Sequence, residues 1–147
     1  MTTTLLKELF ERDLTKVIDE VTLYKNETDI WAVPPGISNS AGTLCLHLAG
    51  NLKHFIGAVL GKTGYVRQRD IEFSDRNVPK QDLLKGLNEA LNILQEVFPK
   101  LNDEGLAKEF PIEFMGKRST LSALLLLCSH LSYHLGQINY HRRLISK

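Results

Sequence analysis

The sequence predicts an all-α protein: a four-helix bundle with one long crossover connection, forming a single domain over residues 1–147. Two observations lead to this fold class. Apolar residues recur at spacings of three and four in four long segments, whereas signals for β-strands are few. In addition, a chain of 147 residues is close to the usual size of one domain and can bury a real core. At most a short β-hairpin is expected, just before the last helix.

The first two helices are delimited by proline and glycine. The first is predicted from about Thr4 to Asn26, and the Pro34-Pro35-Gly36 turn follows it. Its apolar stripe consists of Leu6, Phe10, Leu14, Val17, Val21 and Tyr24. Asn39 or Ser40 can cap the second helix, which continues to about Leu60 and stops at the glycines that follow.

The longest predicted connection, residues 61–79, separates the second helix from the third. A connection of this length is usually functional or crosses the bundle. Its basic stretch, Arg67 to Asp70, is interpreted as solvated. The third helix is predicted from about Lys80 to Leu101 because its apolar residues form one clean stripe. Residues 110–117 are the candidate hairpin, and the fourth helix then runs to about Ile145 after a cap at Ser119 or Thr120.

Composition excludes several function classes. The net charge of +1, with both signs interspersed, provides no basic face for nucleic acid or an anionic membrane. The most apolar run, residues 121–131, is too short to cross a bilayer, and the first residues lack the pattern of a signal peptide. The two cysteines, Cys45 and Cys128, form no paired framework and are interpreted as packing residues. A soluble, cytoplasmic protein with a small-molecule partner is therefore expected.

Two histidines on the fourth helix are the main candidates for a functional site. His130 and His134 are four residues apart, which places both imidazoles on one face of a helix and within reach of one metal ion. Counting 100° per residue puts them on the predicted core-facing stripe, together with Leu126, Gln137 and Leu144. Buried imidazoles need partners, so either a metal ion or hydrogen bonds inside the core can explain the pair.

The second helix carries further candidates on one narrow arc, namely His47, Asn51 and His54. Either histidine can supply a third nitrogen, and His47 is preferred because it lies within a continuous apolar stretch. His141 shares the face of His134 but lies two turns further along, so it can line the approach without being a ligand. No carboxylate is predicted on these faces. Three nitrogen ligands leave coordination positions open, as catalytic metal sites require.

Three segments resemble the DinB-like (DinB/YfiT) metalloenzyme superfamily, most closely a branch of unknown function. They are His47-Leu-Ala-Gly-Asn51, the stretch Gly61 to Phe73, and His130-xxx-His134-xx-Gln137-Ile138. The match follows the order of these motifs over nearly the whole chain. It implies a four-helix bundle of DinB/YfiT connectivity with one divalent ion, zinc or nickel. The implied ligands are His47, His130 and His134.

The resemblance also implies an activity. Relatives include S-transferases that use low-molecular-weight thiols such as bacillithiol or mycothiol, as well as metal-dependent hydrolases, and many are dimers. The leading hypothesis is therefore a metal-dependent thiol S-transferase acting on small electrophiles, and a metal-dependent hydrolase is the alternative. A non-catalytic metal-binding helical module is the third reading, and a homodimer is one option for the assembly. Catalytic residues are not assigned. The residues expected to line the pocket are Asn51, His54, Tyr133, Gln137 and His141.

Overall fold

The computed structural model describes all 147 residues and contains helices but no β-strand. The α-helices are α1 Thr2–Leu23, α2 Ala41–Leu52, α3 Arg69–Ser74, α4 Lys80–Val97, α5 Asp103–Ala107 and α6 Thr120–Ile145. Two short 3-10 helices lie at Glu27–Trp31 and Phe98–Lys100, and a π-helix over Lys53–Leu60 directly continues α2. The predicted all-α class is confirmed.

Helix α1 buries the stripe that its sequence pattern indicates. Leu6, Phe10, Leu14, Val17 and Val21 are all at most 3% exposed. The helix ends at Leu23 rather than Asn26 because Tyr24 takes an extended backbone conformation, with φ −62° and ψ 126°. The aromatic ring of Tyr24 nevertheless remains in the core.

Helix α2 is capped by Ser40, whose Oγ accepts a hydrogen bond from the Thr43 backbone N–H at 3.1 Å. Its continuation is wider than an α-helix: the Gly61 N–H donates to the Ile56 carbonyl, five residues earlier, at 2.9 Å. The connection that follows is not free of structure. It contains α3, which packs against α2.

Helix α4 begins at Lys80 as predicted, and the 3-10 helix after it extends the helical stretch to Lys100. Helix α5 was not predicted. Its N-cap is Asn102, whose side-chain oxygen accepts from the Gly105 N–H at 2.8 Å. In place of a hairpin, the chain forms one isolated antiparallel bridge between Glu109 and Ser119.

Helix α6 is capped by Ser119, and its buried face differs from the predicted one. The buried side chains are Thr120, Ala123, Leu124, Leu127, Leu131, Ile138 and His141. Gln137 is exposed and Leu144 is 70% exposed, so the prediction for these two residues was wrong. Because Leu131 and Ile138 occupy the centre of the buried stripe, His130 and His134 lie at its edge, where they are half-buried.

The long helices pack in four pairs: α1 against α4 and α6, and α2 against α4 and α6. They enclose one continuous apolar core. Arg142 and Asn139 on α6 both bind the Glu20 carboxylate on α1. These contacts tie α6 to α1 by an ion pair and a hydrogen bond. No helix combines the length and the apolar character that are needed to cross a membrane.

Candidate metal centre

Three histidines from two helices point their Nε2 atoms at one place. His47 Nε2 lies 3.0 Å from His130 Nε2, and His134 Nε2 lies 3.1 Å from the same atom. The three rings are nearly perpendicular to one another, with interplanar angles of 78°, 87° and 89°. The predicted helical spacing of His130 and His134 therefore brings both rings to a common point, and α2 supplies the third ring.

The arrangement fits a metal ion. Two nitrogen ligands of a tetrahedral zinc ion, each at about 2.0–2.1 Å from the metal, lie roughly 3.3 Å apart. The distances between the Nε2 atoms are close to that value, and the three histidines form a group that could hold a metal ion. The donor set is also suitable, because imidazole nitrogen is a common ligand of zinc, nickel and copper.

His47 is oriented by a buried ion pair. Its Nδ1 lies 3.2 Å from Glu72 Oε1, and the side chain of Glu72 is only 8% exposed. Arg67 binds the same carboxylate with two hydrogen bonds, from Nε to Oε2 and from Nη2 to Oε1, both 2.8 Å long. Burial opposes the charge on Glu72, but the hydrogen bonds from His47 and Arg67 outweigh burial and hold the pKa of the carboxyl below its usual value.

The absence of a side chain at Gly50 lets Glu72 approach α2. A Cβ atom at Gly50 would lie 1.9 Å from Glu72 Oε2 and 2.6 Å from its Cδ. These distances are far below any ordinary contact, so only glycine permits the observed position of the carboxylate. Gly50 lies three residues after His47 on the same helix, so one stretch of α2 provides both a candidate ligand and the space for its partner.

The polar contacts favour one tautomer for two of the rings. His47 Nδ1 lies 3.2 Å from Glu72 Oε1 and 3.3 Å from Arg67 Nη2. Arg67 Nη2 already donates to Glu72 at 2.8 Å and a carboxylate only accepts, so we assign the proton of His47 to Nδ1 and the lone pair to Nε2. His134 Nδ1 likewise donates to Gln137 Oε1 at 2.6 Å, which leaves its Nε2 unprotonated. Two lone pairs thus point at His130 Nε2. A proton on His130 Nε2 can form a good hydrogen bond to only one of the other two Nε2 atoms, whereas a metal cation can bind all three nitrogens.

His130 is kept neutral by its surroundings. Burial, followed by the proximity of His134 and His47, lowers its pKa to about 4. Burial also lowers the pKa of His134, against the opposing effect of its bond to Gln137. Neutral imidazoles are the form that binds metal. Two buried polar atoms of the region, His130 Nδ1 and Asn51 Oδ1, have no hydrogen-bond partner within the protein.

The other residues expected to line the pocket fall into two groups. Tyr133, Gln137 and His141 border a groove of about 740 Å³ along the C-terminal half of α6, which Asn51 and His54 do not border. Asn51 is buried on α2, and the half-buried His54 packs its ring against Phe55.

His141 has a structural role as well. Its Nε2 donates to the Ala32 carbonyl at 2.8 Å, and its Nδ1 therefore accepts from the Tyr24 hydroxyl at 2.5 Å. Both ring nitrogens are thereby engaged in joining α6 to the end of α1 and the segment after it. No nitrogen of His141 remains for a ligand.

The cysteines are not part of the candidate centre. Cys45 is 1% exposed, and burial raises the pKa of its thiol to about 12. Cys128 is half-buried, and burial, reinforced by Asp13, raises its thiol pKa too. Both thiols are thus protonated at neutral pH, as expected of packing residues rather than nucleophiles.

The roles of Glu72, Arg67 and Gly50 at the site were not predicted from the sequence. The interpretation of Arg67 as solvated was wrong, because its side chain is 11% exposed and is bound to Glu72. A carboxylate five residues after an arginine in a long connection was the available signal. A glycine one turn after His47 was a second signal, because glycine inside a helix is unfavourable unless space requires it.

Comparison with known proteins places the chain in an uncharacterised group. No curated protein matches it. A family model described as "Protein of unknown function (DUF1572)" matches residues 4–147, which is nearly the entire chain. The chain therefore belongs to the DUF1572 family, whose function is unknown.

Proposed function

We propose that this protein is a divalent-metal-dependent enzyme whose open site is formed by His47, His130 and His134. The observation that carries the proposal is the convergence of three Nε2 atoms without a fourth protein ligand beside them. The nearest carboxylate, Glu72, has both oxygens bound by Arg67 and one also by His47. Structural zinc sites are closed by four protein ligands, whereas catalytic sites leave a position open.

The chain's own residues prepare the site for chemistry. Glu72 and Arg67 hold the ring of His47, and Gln137 holds the ring of His134, so the nitrogens keep their direction while a substrate binds. Arg67 also balances the charge of Glu72, so the three ligands contribute no net negative charge. A divalent ion bound by three neutral imidazoles retains its charge and makes a coordinated thiol or water more acidic near neutral pH.

Transfer of a low-molecular-weight thiol to a small electrophile is the reaction that we propose. The thiol releases its proton to bulk water, its sulfur forms a new bond to the electrophilic carbon, and the leaving group departs with the electrons of the bond that breaks. Glu72 is not available as a base, because the bonds from Arg67 and His47 occupy it. A thiol is far more acidic than water and depends less on such a base, so this environment favours thiol chemistry over hydrolysis.

We further propose that the DUF1572 family is related to the DinB-like metalloenzymes and shares their four-helix-bundle connectivity. The order of the three motifs, and a site built from one histidine on α2 and two on α6, support this relationship. From the same resemblance to the DinB-like metalloenzymes, we propose that the ion is zinc or nickel. The cosubstrate is proposed to be a cytoplasmic thiol of the bacillithiol or mycothiol type, and the assembly a homodimer.

Metal analysis of the purified protein tests the site. One divalent ion per chain is expected in the wild type, and its loss is expected in His130→Ala and His134→Ala. His54→Ala is the matched control, because this histidine lies near the end of the same helical segment as His47 but outside the cluster. Retention of the ion by both α6 variants, or its absence from the wild type, would refute the assignment.

A turnover assay then distinguishes the reactions. Metal-loaded protein is incubated with an aryl halide or epoxide, with and without added thiols, and the thioether and the hydrolysed product are both quantified. The proposal expects thioether only when thiol is present, and no product from His130→Ala. Hydrolysis without thiol would indicate the metal-dependent hydrolase instead. A lack of turnover with any substrate or thiol, at full metal occupancy, would favour the non-catalytic module.

A further inference from the structure

A groove on the surface of the molecule adjoins the histidine cluster through Gln137. It has a volume of about 740 Å³ and lies between residues 34–39, the start of α2 and the C-terminal half of α6. Along α6 its wall is formed by Tyr133, Gly136, Gln137, Tyr140 and Leu144, which recur at the three-to-four-residue spacing of one helical face. A groove of this size accommodates a drug-sized molecule.

The lining of the groove carries no charged residue, although 24% of the chain is Asp, Glu, Lys or Arg. The one histidine of the lining, His141, has both ring nitrogens engaged by other parts of the protein. Two tyrosine rings, Tyr133 and Tyr140, stand on the groove wall two helical turns apart, each 65% exposed. The nearest charge that the structure shows is the Arg143 guanidinium, which lies over the Tyr140 ring at 5.3 Å from its centre. A cationic ligand would lose hydration in the groove without gaining a partner, whereas a neutral aromatic ligand would bury apolar surface.

Gln137 connects the groove to the histidine cluster. Its carbonyl oxygen accepts from His134 Nδ1, so its side-chain NH₂ group is left as a donor. This amide forms no hydrogen bond within the protein, and Gln137 belongs to the groove lining. A ligand with a carbonyl oxygen can therefore accept from Gln137, which would hold that carbonyl beside the ring of His134.

We propose that the groove binds a neutral aromatic molecule that carries a carbonyl group, and that this is the electrophile class of the proposed transferase. The aromatic part lies between the two tyrosines, and the carbonyl accepts a hydrogen bond from Gln137. The identification of the ligand as substrate rests on the proposed function. The binding of this ligand by the groove is independent of the proposed function, because none of the three clustered histidines belongs to the lining of the groove.

Benzophenone is a direct probe, because it is neutral and aromatic, has one carbonyl, and inserts into nearby C–H bonds on irradiation. Labelled peptides are expected to map to residues 34–39 and 133–145. Diphenylmethane, which lacks the carbonyl, is expected to compete about threefold to tenfold more weakly, through loss of one hydrogen bond. The cationic analogue 4-(aminomethyl)benzophenone should compete at least about tenfold more weakly, because the lining contains no carboxylate to pair with its ammonium group. Labelling spread over the surface, or tighter binding of the cationic analogue, would overturn the proposal.

Gly136→Leu is designed to fill the groove without disturbing the helix. A Cβ atom at Gly136 meets no heavy atom within 4 Å, and leucine favours a helix more than glycine does. Loss of labelling is expected with the melting temperature unchanged or raised. Ser132→Leu, at an exposed position of α6 outside the lining, is the control that should label normally. If Gly136→Leu labels like the wild type, the proposal is wrong.

Two further measurements distinguish ligand binding in the groove from the proposed metal site and from self-association of the chain. Labelling should persist in His130→Ala and after chelator treatment, so a failure of the metal site would leave the groove result intact. Sizing of the wild type and Gly136→Leu tests the other occupant, a second copy of the chain. A dimer that dissociates in Gly136→Leu, together with no labelling of the wild type, would assign the groove to self-association and overturn the proposal.

Discussion

Replacing Gly50 with alanine would place a methyl group where the Glu72 carboxylate now lies. The added Cβ would be 1.9 Å from Glu72 Oε2, whereas ordinary contacts begin near 3.4 Å. The carboxylate would therefore have to retreat by about 1.5 Å, or α2 would have to shift. A retreat of that size breaks its bond to His47 Nδ1, which is already 3.2 Å long.

The expected effect is on metal affinity rather than on folding. Loss of the group that orients a ligating histidine lowers metal affinity by about 10- to 100-fold, or about 1.4–2.7 kcal/mol. For folding, alanine gains about 0.5–1 kcal/mol over glycine inside a helix, which offsets part of the disturbed ion pair between Arg67 and Glu72. Zinc affinity should thus fall much more than unfolding free energy.

Competition with a chromophoric chelator measures the affinity, and urea denaturation of the metal-free protein measures the stability. Gly86→Ala is the matched control, because a Cβ at Gly86 has its nearest contact at 3.9 Å, with the Ala49 side chain. This control should bind zinc like the wild type and be as stable or up to about 1 kcal/mol more stable. Equal zinc affinity of Gly50→Ala and wild type would refute the role given to Glu72.

Three further predictions concern stability. Arg67→Met leaves a buried carboxylate without its cation and should lower the free energy of unfolding by about 3 kcal/mol. The control Arg69→Met, at an exposed position, should change the free energy of unfolding by less than about 0.5 kcal/mol. Equal effects of the two substitutions would contradict the buried ion pair. Tyr24→Phe leaves His141 Nδ1 unpaired in the core and should cost about 1–3 kcal/mol in urea denaturation without altering metal content. An unchanged midpoint would contradict that bond. Because burial lowers the pKa of His130 to about 4, the unfolded chain takes up a proton below about pH 6.5 that the folded chain does not. Unfolding free energy of the metal-free protein should therefore fall between pH 6.5 and 4, by roughly 1–2 kcal/mol after allowance for the half-exposed ring, and His130→Asn should flatten this slope.

The helices were largely predictable because their signals are local. Apolar spacing located the buried stripe of α1, and the serine caps at Ser40 and Ser119 marked the starts of α2 and α6. The buried face of α6 was predicted less well. It contains leucines on several sides, so periodicity alone did not show that Leu131, rather than Leu126, faces the core. Contacts with α1 and α2 decide that choice, and they are not encoded in the spacing.

The three histidines of the site were predicted from the patterns of their own helices, but the partners of His47 were not. A separation of four residues was sufficient to bring His130 and His134 together. The partnership of His47 with Glu72 joins residues 25 apart and depends on how α3 packs against α2. The spacing of residues within one helix cannot predict a contact between two helices. The need for glycine at position 50 could not be predicted either, because it depends on the position of the Glu72 carboxylate next to α2.

X-ray absorption of the zinc-loaded protein is the most direct test of the central claim, an open site of three histidines. The expected spectrum has three imidazole nitrogens at about 2.0–2.1 Å and at least one oxygen donor from water. Addition of a low-molecular-weight thiol should replace that oxygen by sulfur at about 2.3 Å. A first shell of four protein ligands that does not change with thiol, or fewer than three imidazoles, would contradict the account.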